Sequence, residues 1–180
     1  MRHAASPPAP PSAAEADPGN PNRERQLDAS GRAAATAMGV AIRRLHIPIG
    51  QVWSSPTYRA LETARLAGLP PPVTAPELGD HGLSMSAATS GQSEWLKAKS
   101  AERPRQGTDT VLITHQPNIA AAFGQAAVGL RDGEALVFRP LAPGRAELVG
   151  KVPMTEWPAL ASAEPAALTG AAPAPSGLGQ

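Results

Sequence analysis

Two histidines and two arginines stand at positions from which they could act together on one chemical group. Arg2 and His3 open the chain, Arg59 follows a Ser-Ser-Pro run, and His115 follows an apolar run. A neutral imidazole can attack phosphorus, and a second imidazole can share the charge of the transferring group. The donor fork of arginine matches phosphate oxygens. If the fold brings these four side chains together, the chemistry they favour is phosphoryl transfer.

The elements that must position these side chains follow from the hydrophobic pattern. Residues 51–54 are predicted to form one strand and residues 110–114 another, the second being the kind of β-branched apolar run found in parallel sheets. Ser54 and Ser55 lie at the end of the first strand, and His115 follows the second. Ligands of open α/β sheets bind beyond the carboxyl ends of the strands. Both strand ends are therefore expected to border one site.

Helices alternate with these strands. Asp28 or Ser30 can cap the first helix, and Ser55 can cap the second helix before a proline. The pattern of the first helix places one broad face at Ala33, Ala37, Val40, Ala41, Arg44 and Leu45. The predicted helices cover residues 28–45, 56–67, 92–101 and 118–128, with a short strand at 73–74, a loop over 77–90 and a hairpin over 134–152. This order predicts an α/β three-layer sandwich with a mostly parallel central sheet, helices on both faces and the hairpin as edge strands.

The length and composition of the chain indicate how it is divided into domains. A chain of 180 residues suggests one domain. We assign it to residues 1–157, with an irregular loop over 5–22 that is rich in proline, alanine and serine. Trp157 is expected to dock onto the body of the domain. Residues 158–180 are rich in alanine, proline and glycine, and a disordered tail is predicted there.

Composition also excludes several classes of function. The chain has no cysteine, which excludes disulfides, thiolate nucleophiles and cysteine-ligated zinc. No cofactor or metal is implied, because His3 and His115 have no partners at metal-ligand spacing. With a net charge of +1 and no basic cluster, a nucleic-acid partner is not expected. No apolar run approaches the roughly 20 residues of a membrane-spanning helix, and no membrane partner is expected.

Three segments resemble the signatures of the histidine phosphatase superfamily, which is phosphoglycerate-mutase-like. The opening segment Met1-Arg2-His3-Ala4 resembles its Arg-His-Gly/Ala signature, and residues 54–64, Ser-Ser-Pro-Thr-Tyr-Arg-Ala-Leu-Glu-Thr-Ala, resemble its Ser-Ser-Pro-x-x-Arg-x-x-Glu-Thr-Ala signature. Residues 111–115, an apolar run ending in His115, resemble the third. The likeness covers roughly residues 2–157, with gaps, and all three signatures occur in family order. The small size is typical of the compact branch, which includes bacterial phosphohistidine phosphatases.

The resemblance implies a role for each candidate residue. His3 would be the nucleophile that accepts the phosphoryl group, while Arg2, Arg59 and His115 would hold its oxygens. Ser54 or Ser55 would help to shape the phosphate pocket. Many members use a carboxylic acid, set between the second and third signatures, to protonate the leaving oxygen. Asp80 matches that setting best here, and Glu77 is the alternative.

The sequence departs from the family at its start. In the family a central strand runs directly into the Arg-His motif, whereas here Met1 takes its place. The first central strand is therefore expected to be missing, which would leave His3 on a frayed terminus. Without a signal-peptide core the chain as written is expected to be cytoplasmic, or periplasmic or secreted if an upstream signal segment was lost.

Two functions remain open at this point. One is a metal-independent phosphatase that acts on a phosphomonoester or a protein phosphohistidine through a covalent phosphohistidine. The alternative is a truncated, non-catalytic phosphate-binding or interaction protein on the same fold. The expected partners are a small phosphorylated substrate or a phosphoprotein, and the sequence does not indicate an oligomeric state.

Overall fold

The computed structural model of the protein describes residues 1–80 and 88–162. Most of the predicted loop over 77–90, including His81, and most of the predicted tail lie outside these residues. The helices are α1 (Ala29–Arg44), α2 (Tyr58–Leu66), α3 (Ser90–Ser100), α4 (Gln116–Phe123) and α5 (Trp157–Ser162). The strands are β1 (Ile49–Ser54), β2 (Val73–Thr74), β3 (Asp109–Ile113), β4 (Ala135–Ala142) and β5 (Arg145–Val152).

The central sheet has three parallel strands in the order β2-β1-β3. Val52 and Ile113 pack against α2 on one face, in a cluster with Ala60 and Ala64. On the opposite face Leu112 packs against α3 and α4. Helices therefore cover both faces of a parallel sheet, which confirms the predicted α/β three-layer architecture.

Helix α1 is capped as predicted, because the Asp28 side chain accepts a hydrogen bond of 2.7 Å from the Gly31 amide. Its buried face agrees with the predicted one only at Ala41, since the other buried residues are Gly31, Ala35, Met38, Gly39 and Ile42. A Cβ atom at Gly39 would overlap the backbone carbonyl of Ala67. Close approach to α2 at this glycine therefore selects the buried face.

Helix α2 begins later than predicted. Its N-cap is Thr57 rather than Ser55. The Ser55 hydroxyl instead accepts from the Thr57 amide over 3.2 Å and contacts His115 over 2.9 Å. Because the Ser55 hydroxyl bonds to Thr57 and His115, it does not cap the helix, which starts two residues later than predicted.

The hairpin forms as predicted, but it does not extend the central sheet. Strands β4 and β5 pair with each other as a separate antiparallel sheet. Residues 1–3 bridge the ends of the two sheets through backbone hydrogen bonds to Thr114 and Glu134. The prediction that the hairpin supplies edge strands of the central sheet is therefore wrong, because β4 forms its ladder with β5 and not with β3.

The chain start is held on both sides, contrary to the expectation of a frayed terminus. The Met1 amine donates to the Leu112 carbonyl over 2.6 Å, and the His3 amide donates to the Thr114 carbonyl over 3.0 Å. On the other side the Arg2 amide donates to the Glu134 carbonyl over 3.1 Å. In place of the first central strand there is a single parallel bridge between Arg2 and Thr114.

The end of the described chain packs onto α1. Trp157 is buried in a cluster with Met38 and Ile42, so the predicted docking of this side chain is confirmed. Helix α5 continues to Ser162, beyond the point where the tail was predicted to begin. Within residues 1–80 and 88–162, no helix combines the length and apolar character needed to cross a membrane.

Candidate active site

The carboxyl edge of the parallel sheet carries a pocket of about 400 Å³. His3 reaches it from the chain start, His115 from the end of β3, and Arg59 from the first turn of α2. The charged and titratable side chains that line it are Arg2, His3, Arg25, Arg59, Asp80 and His115. The structure thus brings together five of the predicted site residues and adds Arg25.

Arg59 connects the two histidines. Its Nε donates to Nε2 of His3 over 3.1 Å, and its Nη2 donates to Nδ1 of His115 over 3.1 Å. A guanidinium has no acceptor, so both imidazole nitrogens must carry lone pairs. The His3 proton then lies on Nδ1, which donates to the Ala4 carbonyl over 2.7 Å. The His115 proton lies on Nε2, which donates to the Ser55 hydroxyl over 2.9 Å.

Both histidines favour the neutral form. Burial lowers the pKa of His115 to about 3, with further contributions from the charges of Arg59, Arg25 and Arg2. Burial, followed by the neighbouring His115, lowers the pKa of His3 well below its ordinary value. A neutral His3 with a lone pair on Nε2 has the form that a nucleophile requires.

Asp80 lies at the same pocket and is buried. Its carboxylate pairs with Nη2 of Arg59, and Oδ2 lies 3.7 Å from Nδ1 of His115. The segment before it is fixed by Gln92 and Asn118, whose side-chain amides donate to the Gly79 carbonyl over 3.0 and 3.3 Å. A carboxyl held at this point could exchange a proton with a group bound in the pocket.

The remaining candidates do not reach the pocket. Ser54 is fully buried and its hydroxyl donates to the Ser55 carbonyl over 2.9 Å. Ser55 acts behind His115, where it fixes the imidazole through Nε2. Glu77 contributes its backbone carbonyl to Asn118 and does not line the pocket. Of the two carboxylates considered, Asp80 is therefore the one at the site.

Two residues of the second signature hold the chain start and the following loop. The Thr63 hydroxyl accepts from the Ala4 amide over 3.1 Å, beside His3. Glu62 is buried, accepts from the Leu27 amide over 3.1 Å and pairs with Arg32. Burial raises the pKa of this carboxyl. Arg32 also contacts Asp17 over 2.7 Å, so the irregular loop is tied to α1 and α2.

Arg25 is the site residue that the sequence did not reveal. It follows the predicted loop and belongs to none of the three signatures. Its Nε donates to the Pro7 carbonyl over 2.7 Å, which ties Arg25 to the start of the loop. Its charge contributes to the lowered pKa of His115. Arg25 lies at the pocket because of the path that the loop takes, and the spacing of residues in the sequence does not indicate that path.

Arg2 also reaches the pocket. Its Nη2 pairs with Asp132 over 2.6 Å, and its Nη1 donates to the Leu130 carbonyl over 3.3 Å. The arrangement gathers three guanidinium groups around two neutral imidazoles, which suits a multiply charged oxyanion. Among residues 1–80 and 88–162, no three His, Cys, Asp or Glu side chains cluster closely enough to hold a metal ion.

Solved structures of histidine phosphatases resemble this architecture. The protein histidine phosphatase SixA, in complex with tungstate, matches with a TM-score of 0.61 at 20% identity over 87% of this chain and 96% of that one. A SixA-type protein from Agrobacterium tumefaciens matches with a TM-score of 0.57 at 18% identity, over 85% and 95% of the two chains. A SixA-type protein from Nakamurella multipartitia matches with a TM-score of 0.50 at 23% identity, over 91% and 87%.

These likenesses identify the fold as that of the histidine phosphatases, in agreement with the resemblance of the three sequence segments. The three matched structures described above are of the SixA type. No protein-family model matches the sequence, and no curated protein matches it.

Proposed function

We propose that the chain is a metal-independent phosphatase that works through a covalent phosphohistidine at His3. The observation that carries this proposal is the double hydrogen bond from Arg59 to the two histidines. It leaves Nε2 of His3 with its lone pair directed at a guanidinium, in the pocket where phosphate oxygens would bind. His115 lies across the pocket, with 5.2 Å between the ring centroids.

In the first step Nε2 of His3 attacks phosphorus while the bond from phosphorus to the leaving atom breaks. Arg2, Arg25 and Arg59 hold the equatorial oxygens and offset their charge. A bound oxyanion opposes the arginine charges that lower the pKa of His115. This histidine can then take a proton on Nδ1 and donate it in a hydrogen bond to a phosphoryl oxygen. In the second step water attacks phosphorus, the Nε2 bond breaks, and phosphate leaves.

The leaving atom must gain a proton in the first step, and Asp80 is the group placed to supply it. The attacking water loses a proton in the second step, which Asp80 can take back, so the protons balance over the cycle. In the free protein, however, Asp80 is the ion-pair partner of Arg59. The phosphoryl group competes with it for that guanidinium. Once released, the Asp80 carboxylate takes up a proton from the bound phosphoryl monoanion or from water and passes it to the leaving atom.

We infer that a protein phosphohistidine is the favoured substrate and that a phosphomonoester is the second choice. A departing imidazole needs less protonation than a departing alkoxide. Because Asp80, the acid of this site, is paired with Arg59, the site suits phosphohistidine better than a phosphomonoester. The SixA protein matched above is itself described as a protein histidine phosphatase. The partner would then be a phosphorylated protein or, for the second choice, a small phosphorylated molecule.

The direct test is release of phosphate from an aryl phosphate with a chelator present. His3→Asn removes the nucleophile, while His46→Asn changes an exposed histidine at a positive φ of 52°, which asparagine tolerates. We expect activity in the parent chain and in His46→Asn, and none in His3→Asn.

Equal activity in all three proteins would overturn the proposal. Tungstate or phosphate binding without turnover of aryl phosphate or phosphohistidine would instead support the second candidate, a non-catalytic phosphate-binding protein. The ion pair between Arg59 and Asp80 is the observation that favours this second candidate, because it partly neutralises the positive charge of the site before any ligand binds.

A further inference from the structure

Asn20 is a buried polar residue of the irregular loop, with only 2% of its surface exposed. Its side chain makes three hydrogen bonds. Oδ1 accepts from the Glu24 amide over 2.9 Å, and Nδ2 donates to the Glu24 carbonyl over 2.7 Å and to Oε1 of Gln26 over 3.3 Å. An asparagine that binds the backbone of a nearby residue on both sides fixes the course of the chain between them.

The turn that Asn20 closes contains a strained residue. Arg23 has a positive φ of 49°, and its amide donates to the Asn20 carbonyl over 3.0 Å. An arginine has no preference for the left-handed region, so surrounding contacts must hold it there. The bonds of Asn20 to Arg23 and Glu24 are such contacts, and they make Asn20 the organising residue of the turn.

Glu24 docks this turn on α2. Its Oε2 accepts from the amide of Tyr58, the first residue of the helix, over 3.0 Å. Within residues 1–80, Thr57 at the N-cap gives the helix no side-chain hydrogen bond, so the loop supplies this cap. A carboxylate at this end also opposes the positive end of the helix dipole. The next residue of the helix is Arg59, which contacts both histidines.

The residue after Glu24 is Arg25, which lines the pocket. Its Nε and Nη2 donate to the carbonyls of Pro7 and Ser6 over 2.7 and 3.3 Å. These bonds orient the guanidinium, while the turn sets the position of the Arg25 backbone. Because a group displaced by about 1 Å can lose much of its effect on a bound ligand, the turn matters to the pocket.

We propose that Asn20 is a positioning residue for oxyanion binding. It holds the turn that docks Glu24 on α2 and places Arg25 at the pocket. Asn20 lies outside the pocket lining that residues 1–80 and 88–162 provide, so it acts through Arg25 and does not touch the bound group. This inference rests on the proposed oxyanion site but not on turnover there.

The test is a double-mutant cycle on the full chain, with tungstate affinity measured by titration calorimetry. The four proteins are the parent chain, Asn20→Ala, Arg25→Ala and the double variant. Asn22→Ala, at an exposed asparagine of the same loop, is the matched control. Urea midpoints of all five proteins are measured alongside. Tungstate binding needs no turnover, so a chain that binds tungstate but releases no phosphate would sink the phosphatase proposal and leave this one standing.

We expect Asn20→Ala to weaken tungstate binding by about three- to tenfold in the parent chain, and by less than about twofold in the Arg25→Ala background. The second loss is smaller because the guanidinium that Asn20 positions is then absent. Asn22→Ala should leave the affinity unchanged.

An equal loss of affinity in the two backgrounds would overturn the proposal, because Asn20 would then act without Arg25. A lower urea midpoint with unchanged affinity would overturn it too, since the role of Asn20 would be structural alone, and so would a parent chain that does not bind tungstate. If Asn20→Ala does not fold, Asn20→Ser takes its place in the cycle. Its hydroxyl keeps an acceptor for the Glu24 amide but cannot make all three bonds.

Discussion

Arg59 donates a hydrogen bond of 3.1 Å from its Nε to Nε2 of His3. The bond fixes the tautomer of His3, because a guanidinium can only donate. It also means that the guanidinium occupies the direction from which phosphorus would approach. In the proposed mechanism a substrate must therefore draw Arg59 from the imidazole to its own oxygens.

Asp80→Asn should separate proton donation from the other functions of the site. Aryl phosphates with poor leaving groups should lose about 10²- to 10⁴-fold in rate, while those with good leaving groups and phosphohistidine lose much less. Glu77→Gln, at a residue that does not line the pocket, is the matched control and should change the rate for neither class of substrate. The measurement is kcat/KM across a series of aryl phosphates. If Glu77→Gln gives the leaving-group dependence and Asp80→Asn does not, the acid is Glu77.

Folding stability should decline as the pH falls below the ordinary histidine pKa of 6.5. The pKa of His115 is lowered to about 3 and that of His3 well below 6.5. Just below pH 6.5 these histidines therefore bind protons in the unfolded chain but not in the folded one. Since the unfolded state then binds more protons, the free energy of unfolding falls with decreasing pH, by about 1.4 kcal/mol per pH unit for each such group.

Urea unfolding between about pH 7 and about pH 5 checks this pH dependence. His115→Gln should flatten the decline relative to the parent chain, and His46→Asn should leave it unchanged. Parallel pH profiles for all three proteins would contradict the inferred neutral state of His115 in the folded protein.

Arg25→Ala should weaken oxyanion binding without unfolding the protein. Its guanidinium borders the pocket and faces solvent in part, so we expect tungstate affinity to fall about three- to tenfold. Arg103→Ala, an exposed arginine remote from the pocket lining, is the control for loss of a positive charge. Titration calorimetry with tungstate provides the measurement, and equal affinities for the two variants would remove Arg25 from the site.

Glu62→Gln should destabilise the fold by about 1–2 kcal/mol. Glutamine keeps an acceptor for the Leu27 amide but removes the charge that pairs with Arg32. We expect a lower urea midpoint with an unchanged slope, and Glu94→Gln on the exposed side of α3 should have no effect. An unaltered midpoint in Glu62→Gln would show that the ion pair contributes no net stability.

The sequence predicted most of the elements that position the site. Strand β3 was recognisable because it is a β-branched apolar run, and the start of α1 because Asp28 caps it. These are local signals. Most of the buried face of α1 was not recognisable, because alanine is spread around the helix and the choice depends on contact at Gly39 with α2.

Other features of the site and fold depend on tertiary contacts that the spacing of residues in the sequence does not indicate. Arg25 enters the site because the loop folds back and bonds to the Pro7 carbonyl. The ordered chain start depends on hydrogen bonds to Thr114 and Glu134, which are distant in sequence. The separation of β4 from β3 could not be inferred either, since a hairpin is the same local pattern whether or not it joins a larger sheet.

The most direct test of the central claim is to trap the phosphorylated protein. The chain is mixed with an aryl phosphate, quenched in base during turnover, digested, and analysed by mass spectrometry under conditions that preserve phosphohistidine. The account predicts a phosphoryl group on His3 in the parent chain and in His46→Asn, and none in His3→Asn. Turnover with no phosphoryl group on His3, or with one on another residue, would contradict it.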